Sequence, residues 1–319
     1  MIGIYGAGSI GCYLGGMLVA NGEDVVFLAR PSTVADLAGG MDITSLDAPP
    51  IHVSNLEFAS SASDLAKCST ILVCVKSMDT VAAGEALAGI VAPGTIVVSL
   101  QNGISNAGLL SAALPQAQVI DAMVAFNVAR KGGNGFHRGT EGGIVLADKP
   151  GALDLSAIFN SAGIATEVSR EISSVKWGKL LMNLNNAVNA LSGLPLRAQL
   201  SMRKHRLLLA DSIAEALQVL RKAGIRPARI GKVAPAIMPF LLRLPDPVFR
   251  ILAAGMLKID DQARSSMADD LDRGRKPEID YLQGEIVRLG KSVGIPTPVN
   301  SEIVERIRRE FASKKGQER

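Results

Sequence analysis

Residues 2–11 read IGIYGAGSIG, and this stretch decides the fold of the first half of the chain. A β-branched run at Ile2–Tyr5 leads into three glycines spaced GxGxxG, and Cys12–Ala20 follows with a helical pattern. In a dinucleotide site, the first glycine permits a tight turn and the second lets the backbone approach a pyrophosphate, while the third allows close packing of helix and strand. A structural turn in a glycine-rich chain is the alternative. The predicted cofactor-binding loop consists of Gly6, Ala7, Gly8, Ser9, Ile10 and Gly11.

The rest of the first half alternates short β-branched runs with helical patterns, which is typical of a parallel sheet with crossover helices. From about Glu171 the pattern changes to long helical periodicity, as in Trp177–Leu191 and Arg203–Ala223. We therefore predict an α/β N-terminal Rossmann-like domain at residues 1–170 and an all-α C-terminal domain at residues 171–319. The predicted strands are Ile2–Tyr5, Asp24–Ala29, Thr70–Val75, Thr95–Ser99 and Val119–Ala122, and the segments Val124–Val128, Gly143–Leu146 and Ala165–Val168 are expected to extend the same sheet.

The composition is that of a folded globular protein. The 319 residues are 48% hydrophobic and 20% charged, which argues against disorder, and 32 glycines without a triplet period exclude collagen. The net charge is +4, with a net −6 in residues 1–170 and a net +10 in the remainder. A basic second half could attract an anion, but solvated surface is the ordinary reason for such clusters, so no nucleic-acid partner is predicted.

Cysteine usage and hydropathy bear on location. Cys12, Cys68 and Cys74 form neither an even set for disulfides nor a spacing for a metal site, so we expect a reducing, cytoplasmic setting and no metal. Prolines, arginines and an aspartate interrupt the most membrane-like stretch, Val233–Leu257, so it cannot supply the span of about 20 apolar residues that a bilayer requires. Within it lies the apolar segment Met238–Met256. We expect it to pack within the helical domain; a dimer surface or a cover for an interdomain cleft are the alternatives.

The second predicted strand ends at Arg30, 19 residues beyond Gly11. At this position an acidic residue accepts hydrogen bonds from the ribose of NAD, whereas an arginine suits the 2′-phosphate of NADP. The sequence therefore predicts NADP(H) as the cofactor. An exposed arginine at a strand end is the alternative.

Polar residues also follow the next two strands, where Lys76 and Gln101-Asn102-Gly103 stand. Ligands gather at the carboxyl ends of the strands in an open α/β sheet, so Lys76 and Asn102 are candidates for contact with cofactor or substrate. Taken singly, Lys76 could equally be a surface lysine, and Asn102-Gly103 reads as a turn.

Polar residues crowd one predicted helix of the second half. Lys179 and Asn183 are one helical turn apart and so share a face. Asn185, Asn186 and Asn189 follow, although asparagine is a poor helix former. Such a conflict between propensity and structure indicates a binding face, with an exposed polar face as the alternative.

Ser266 and Glu278 lie in a segment that Gly274 and Pro277 interrupt. We expect Glu278 to open the last amphipathic helix, where the helix dipole favours a carboxylate. Helix capping by Glu278 and ordinary exposure of Ser266 are therefore the alternatives to a functional role.

Together these motifs resemble the ketopantoate reductases (2-dehydropantoate 2-reductases) over nearly the whole chain. The resemblance rests on GAGSIG at Gly6–Gly11, Arg30, Lys76, QNG at Gln101–Gly103, WGKLLMN at Trp177–Asn183 and SSMADDLDRGRKPEIDYLQG at Ser265–Gly284. The last two stretches are the most specific. The resemblance implies NADPH-dependent reduction of 2-dehydropantoate to pantoate, a step in the biosynthesis of pantothenate and coenzyme A.

The resemblance also implies roles for individual residues. Lys179 resembles the catalytic lysine, and Glu278 the acidic residue that engages the substrate beside the cofactor. The implied substrate contacts are Asn102, Asn183 and Ser266, and the implied cofactor contacts outside the glycine loop are Arg30, Lys76, Asn102 and Glu278.

One position departs from the family pattern. Ala187 stands where the family commonly has a second asparagine, eight residues after the lysine. Asn186 or Asn189 could take its place, and we count Asn186 among the predicted substrate contacts. The departure leaves the exact 2-oxo acid open.

Three alternatives to this interpretation remain. A reductase of the same family could act on another 2-oxo acid, because fold does not fix substrate. The 3-hydroxyacid dehydrogenases also have a helical lysine and asparagine, but the pair Ser266 and Glu278 argues against them. A non-catalytic NADP(H)-binding sensor would need only residues 1–170. The expected partner is a small-molecule 2-oxo acid, and a homodimer is left open.

Overall fold

The computed structural model describes residues 1–46, 48–231, 233–253 and 262–317. The chain forms two compact units, Met1–Ile172 and Ser173–Arg319. Among the described residues, no helix has both the length and the hydropathy that are needed to cross a membrane.

The first unit, in which only residue 47 is not described, contains two β-sheets and five α-helices. Short 3₁₀ turns occur at Ala62–Lys67 and Ser77–Asp79. The helices are α1 (Ser9–Ala20), α2 (Pro31–Asp36), α3 (Thr80–Ala88), α4 (Asn106–Ala113) and α5 (Ala152–Ser161). The strands are β1 (Ile2–Tyr5), β2 (Val25–Leu28), β3 (Met41–Ser45), β4 (Ile51–Val53), β5 (Glu57–Ala59), β6 (Thr70–Val73), β7 (Ile96–Ser99), β8 (Gln118–Val124), β9 (Val128–Lys131), β10 (Gly135–Arg138), β11 (Ile144–Ala147) and β12 (Thr166–Ser169).

The larger sheet has the strand order β12-β11-β8-β7-β6-β1-β2-β5. Strands β5, β2, β1, β6, β7 and β8 are parallel. Strand β11 pairs antiparallel with β8, and β12 is parallel to β11. The predicted α/β Rossmann-like fold is confirmed, but the two last strands make the sheet mixed rather than wholly parallel.

The smaller sheet has the order β4-β3-β10-β9 and was not predicted. The predicted strand Val124–Val128 is wrong, because β8 ends at Val124 and β9 begins at Val128 in this second sheet. Its strands are short and partly polar, so no period-2 pattern of useful length marks them. Tertiary packing stabilises them instead: Gly16 of α1 leaves room for the side chains of Met41 and Ile43 in β3.

The parallel strands are buried on both faces. Leu72 of β6 belongs to a core with Leu14 of α1, whereas Ile71 and Val73 belong to a second core with Leu87 of α3. Burial on both faces explains why these strands read as continuous apolar runs in the sequence. It also leaves the carboxyl ends of the strands as the place where polar loops collect.

The second unit is all helical in its described residues, 173–231, 233–253 and 262–317, which confirms the predicted all-α half. A 3₁₀ turn occurs at Ile279–Tyr281. The only tryptophan of the chain, Trp177, is buried in the first helix. The helices are α6 (Ile172–Asn183), α7 (Asn185–Ser192), α8 (Leu196–Ser201), α9 (Arg203–Lys222), α10 (Met238–Arg243), α11 (Asp246–Leu252), α12 (Ser266–Asp272), α13 (Gln283–Val293) and α14 (Pro298–Gln317).

Two helix predictions need correction. The helix predicted at Trp177–Leu191 is interrupted at Leu184, between α6 and α7. Glu278 does not open the last helix: it precedes the 3₁₀ turn, and α13 begins only at Gln283, with α14 still to follow. The physical reason is the backbone of Leu282, whose φ of −116° and ψ of −96° lie outside the helical region.

The apolar segment Met238–Met256 is only partly described. Leu242 and Phe249 are fully buried in the second unit, whereas Phe240 and Ile251 are exposed. Residues 254–256 of this segment lie outside the described residues. The described part therefore supplies both packing residues and exposed apolar surface.

Candidate active site

The glycine loop between β1 and α1 combines two crowded glycines with an open one. A Cβ at Gly6, where φ is +104°, would lie 2.6 Å from Cγ1 of Val75, and a Cβ at Gly11 would collide with the carbonyl oxygen of Gly6. Gly8 is exposed, and apart from Gly8 itself and its two chain neighbours no described residue has an atom within 4 Å of a Cβ built there. The fold thus requires the first and third glycines, while the second leaves space that a ligand could fill.

The start of α1 suits an anion. Gly8 precedes the helix and has no side chain that could cap it, so the first amides of α1 are available to a ligand. Amides at a helix start, together with the helix dipole, favour phosphate. The open position at Gly8 and the uncapped helix start therefore fit the pyrophosphate of a dinucleotide.

Arg30 lies at the end of β2, is exposed, and directly precedes α2. Its guanidinium has no hydrogen-bonding or ion-pair partner among the described residues, whereas its carbonyl oxygen accepts from the amides of Thr33 and Val34. An arginine in this state can meet a phosphate without first losing another partner. Its position is the one that the sequence predicted for contact with a 2′-phosphate.

The structure brings Lys76 and Asn102 to the same sheet edge as the glycine loop. Tyr5, Val73 and Ser99 are register partners in β1, β6 and β7, so the segments that follow them start side by side. Lys76 is partly buried, and the side chain of Asn102 is exposed. The predicted cofactor-side residues of the first unit therefore share one edge.

A buried polar network beneath this edge was missed by the sequence reasoning. Its members Ser77, Thr80, Gln101 and Asn106 are all buried. Ser77 Oγ donates to the carbonyl oxygen of Asn102 over 2.8 Å, and Gln101 Nε2 donates to Thr80 Oγ1 over 2.6 Å. The available signal was Gln101 and Asn102 after one buried strand and Ser77 after its neighbour, polar residues that a purely structural turn does not require.

In the second unit, Lys179 and Asn183 lie one turn apart on α6, as predicted, and both are partly buried. Burial lowers the pKa of Lys179 to about 8. The lysine is thereby suited to exchange a proton near neutral pH, as a general acid must.

Gly178 explains how the helix is covered beside this lysine. A Cβ at Gly178 would collide with the carbonyl oxygen of Ala228, and the amide of Ala228 donates to the carbonyl oxygen of Ser174 over 2.8 Å. The segment around Ala228 therefore crosses α6 in direct backbone contact. Glycine in the WGK sequence permits this close approach.

The asparagines of α7 differ in their surroundings. Asn189 is fully buried, its Oδ1 accepts from the amide of Ser265 over 2.9 Å, and its Nδ2 donates to the carbonyl oxygen of Leu194 over 2.9 Å. Its amide is thus committed within the fold, which corrects the suggestion that it replaces the asparagine missing at Ala187. Asn186 is partly buried, and its side chain has no hydrogen bond among the described residues.

Two side chains anchor further segments near the junction of α6 and α7. Ser265 Oγ donates to the carbonyl oxygen of Asn186 over 3.0 Å, which places Ser266, exposed at the start of α12, next to α7. Gln283 Nε2 donates to the carbonyl oxygen of Leu184 over 2.8 Å. Glu278, five residues before Gln283, is partly buried. Both predicted segments are therefore tied to this junction.

We expect Asn189→Ala to lower the free energy of unfolding by about 1–3 kcal/mol, because the Ser265 amide and the Leu194 carbonyl lose their buried partner. Asn186→Ala, one helical turn away, should change it by less than about 0.5 kcal/mol. Urea denaturation of both variants measures the difference. Equal stabilities would contradict the structural assignment of Asn189.

A cavity of about 690 Å³ opens elsewhere in the second unit, between the end of α9 and α10. Its lining includes Leu217, Arg221, Arg226, Phe240 and Arg243. It contains none of the predicted site residues, so we do not assign the candidate active site to it.

Comparison with known proteins agrees with the fold and the motifs. The family model described as ketopantoate reductase PanE/ApbA matches residues 2–151, and the model of its C-terminal part matches residues 171–310. The 2-dehydropantoate 2-reductase of Pyrococcus abyssi is 31% identical over 307 residues, which cover 93% of each chain.

Solved structures give the same result. A PanE/ApbA family ketopantoate reductase from Ralstonia eutropha JMP134 has a TM-score of 0.85 and 30% identity, and covers 98% of this chain and 99% of its own. A D-mandelate dehydrogenase solved with NADH and anilino(oxo)acetate has a TM-score of 0.81 over 98% of this chain and 99% of its own, but only 18% identity, so it shows the fold alone. The chain therefore belongs to the ketopantoate reductase family and is an NAD(P)-dependent oxidoreductase that acts on a CH–OH or C=O group.

Proposed function

We propose that this protein reduces 2-dehydropantoate to pantoate with NADPH, a step in the biosynthesis of pantothenate and coenzyme A. The observation that carries the proposal is the pair Lys179 and Asn183 on α6, in which burial lowers the pKa of the lysine to about 8. A chain that only senses NADP(H) has no use for a buried lysine with this pKa. We further propose that residues 1–170 bind the cofactor and residues 171–319 supply the substrate-binding and catalytic groups.

The proposed chemistry divides between cofactor and protein. When bound, NADPH supplies the hydride to one face of the substrate carbonyl carbon. The ammonium of Lys179 polarises the carbonyl oxygen and then donates a proton to the alkoxide that develops there. One group thus provides electrostatic stabilisation and general-acid catalysis.

The other residues bind and orient. Glu278 accepts a hydrogen bond from the substrate hydroxyl or holds Lys179 in place. Asn102, Asn183 and Ser266 offer neutral donors to the substrate carboxylate, which keeps the positive charge concentrated at the reacting oxygen. These roles rest on the family resemblance and on the positions described above.

The main alternative is a family member that reduces another 2-oxo acid. Ala187 favours it, because this fully buried residue stands where the family commonly has an asparagine, and Asn189 is committed elsewhere. The second alternative is a non-catalytic NADP(H)-binding sensor. We also propose a cytoplasmic location; the oligomeric state, for which a homodimer is left open, is measured by light scattering.

A panel of 2-oxo acids tests the proposal. NADPH oxidation is followed by absorbance with 2-dehydropantoate and with branched and hydroxylated analogues, and kcat/KM is compared across the panel. A value for 2-dehydropantoate well above all others supports the proposed function. A higher value for another acid identifies the first alternative, and tight NADPH binding without any turnover identifies the sensor.

The cofactor preference is tested at Arg30. Arg30→Asp should lower the ratio of NADPH to NADH affinity by at least about tenfold, because a charge-assisted contact to phosphate contributes about 1.5–3 kcal/mol and the new carboxylate repels the 2′-phosphate. Titration of both nucleotides measures the ratio, with NADH as the internal control. Equal losses for the two nucleotides would remove the argument for NADP(H).

A further inference from the structure

We propose that Ser77, Thr80 and Asn106 are positioning residues that set the backbone of Asn102 and, through it, the direction of the Asn102 side chain towards the bound dinucleotide. The proposal rests on the proposed function only in taking Asn102 as a ligand contact. None of the three residues needs to touch a ligand itself.

The carbonyl oxygen of Asn102 is held by two side chains. It accepts hydrogen bonds from Ser77 Oγ over 2.8 Å and from Asn106 Nδ2 over 2.5 Å, so both of its lone pairs are engaged. The next residue, Gly103, has a φ of +88°, a conformation that favours glycine. The backbone on the carbonyl side of Asn102 is therefore held firmly, while its side chain is exposed.

The side chain of Thr80 joins these contacts to one another. Thr80 Oγ1 accepts from Gln101 Nε2 over 2.6 Å, and its own proton is shared between the Ser77 carbonyl oxygen and Asn106 Oδ1, each 2.8 Å away. Asn106 Nδ2 also donates to Ser77 Oγ over 3.2 Å. Thr80 thus connects the loop after β6 with the loop after β7.

The three positioning residues are buried polar groups. Thr80 and Asn106 are fully buried and Ser77 is nearly so. Buried polar groups are unfavourable unless they are fully paired, and apolar side chains could fill the same space at less risk. The network lies beneath the two loops that carry Lys76 and Asn102. Because hydrogen bonds are directional, the network fixes the geometry of these loops more closely than apolar packing would.

The first unit contains a matched serine away from this edge. Ser156 Oγ donates to the carbonyl oxygen of Thr166 over 3.0 Å and accepts from Asn160 Nδ2 over 3.2 Å, the same pattern that Ser77 has with Asn102 and Asn106. Ser156 is also buried. Ser156→Ala therefore reproduces the structural loss of Ser77→Ala without involving a predicted ligand contact.

The experiment measures the NADPH dissociation constant and the midpoint of thermal unfolding for the full-length protein. Ser77→Ala and Ser156→Ala should lower the midpoint by similar amounts. Only Ser77→Ala should weaken NADPH binding, by about tenfold, the effect of roughly one hydrogen bond. Equal NADPH affinities in the two variants would overturn the proposal.

Asn102→Ala completes a double-mutant cycle. If Ser77 acts through Asn102, the NADPH affinity of the double variant should match that of Asn102→Ala alone. An undiminished effect of Ser77→Ala in the Asn102→Ala background contradicts the proposal, as does wild-type NADPH affinity in Asn102→Ala itself. If Ser77→Ala does not fold, Thr80→Val takes its place and should weaken NADPH binding. Thr80→Ser should keep the NADPH affinity of the wild type. If Thr80→Ser binds NADPH as weakly as Thr80→Val, the proposal is contradicted.

The readout separates this inference from the proposed function. NADPH affinity is measured without any 2-oxo acid, so the cycle gives its answer whichever acid is reduced and even if none is. If the substrate panel does not favour 2-dehydropantoate but the double-mutant cycle gives the expected NADPH affinities, only the proposed function is rejected. If the panel favours 2-dehydropantoate but Ser77→Ala does not change the NADPH affinity, only the positioning role is rejected.

Discussion

Lys179→Ala should reduce kcat about 10²–10⁴-fold and leave NADPH binding unchanged, since this is the usual contribution of a positioned general acid. The loss falls on the chemical step because the residue is proposed to act at the developing alkoxide. Turnover kinetics and nucleotide titration of the same preparation measure both quantities. Near-normal turnover in a variant that binds NADPH would refute the assignment.

The pH profile gives the same residue a second test. Burial lowers the pKa of Lys179 to about 8, and reduction requires the protonated form. The kcat/KM for reduction should therefore be level below pH 8 and fall about tenfold per pH unit above it, while oxidation of the hydroxy acid should rise through the same range. Lys179→Arg keeps the cation but should abolish this ionisation, because arginine stays protonated.

Gly8→Ala should weaken NADPH binding about 10- to 150-fold without destabilising the fold. Apart from Gly8 itself and its two chain neighbours, no described residue has an atom near a Cβ at Gly8, and its φ of −85° suits any residue. A methyl group there would occupy the space proposed for the pyrophosphate and separate it from the amides of α1, contacts worth about 1.5–3 kcal/mol. The unfolding free energy should change by less than about 1 kcal/mol, because a weaker N-cap and a less flexible unfolded chain offset each other.

Two alanine variants serve as controls for Gly8→Ala. Gly39→Ala also places its Cβ where no described residue apart from Gly39 itself and its two chain neighbours has an atom within 4 Å, and it should leave both stability and NADPH affinity unchanged. Gly11→Ala should lose stability, because its Cβ meets the Gly6 carbonyl oxygen. If Gly8→Ala behaves like Gly39→Ala, the loop does not bind the pyrophosphate.

The parts of the fold that the sequence predicted well are those with local, periodic signals. The turn at Gly6 and Gly11 is determined by sterics within a few residues, and β1 and β2 are continuous apolar runs. The smaller sheet has no such signal: β3 and β10 pair although they are far apart in the chain, and they depend on packing against α1. At the junction of α6 and α7, the carbonyl oxygen of Leu184 likewise accepts from Gln283, a residue 99 positions away.

The candidate site divides in the same way. The spacing of Lys179 and Asn183 places them on one helical face, and both lie on α6, although this helix ends at Asn183 rather than at the predicted Leu191. Hydrogen bonds between distant segments could not be predicted, since no period relates Ser77 to Asn102 or Asn189 to Ser265. For that reason the sequence offered Asn189 as one replacement for the missing asparagine, although its side chain is committed to the fold.

Trp177 is the only indole of the chain and lies in the second unit, so excitation that tryptophan absorbs and tyrosine does not reports on that unit alone. Its emission should follow the unfolding of the helical half, whereas far-ultraviolet circular dichroism follows both halves together. Denaturation curves that coincide by the two methods would mean that the units melt as one cooperative body, and curves that separate would order them. The emission of Trp177 thus reports which of the two units unfolds first.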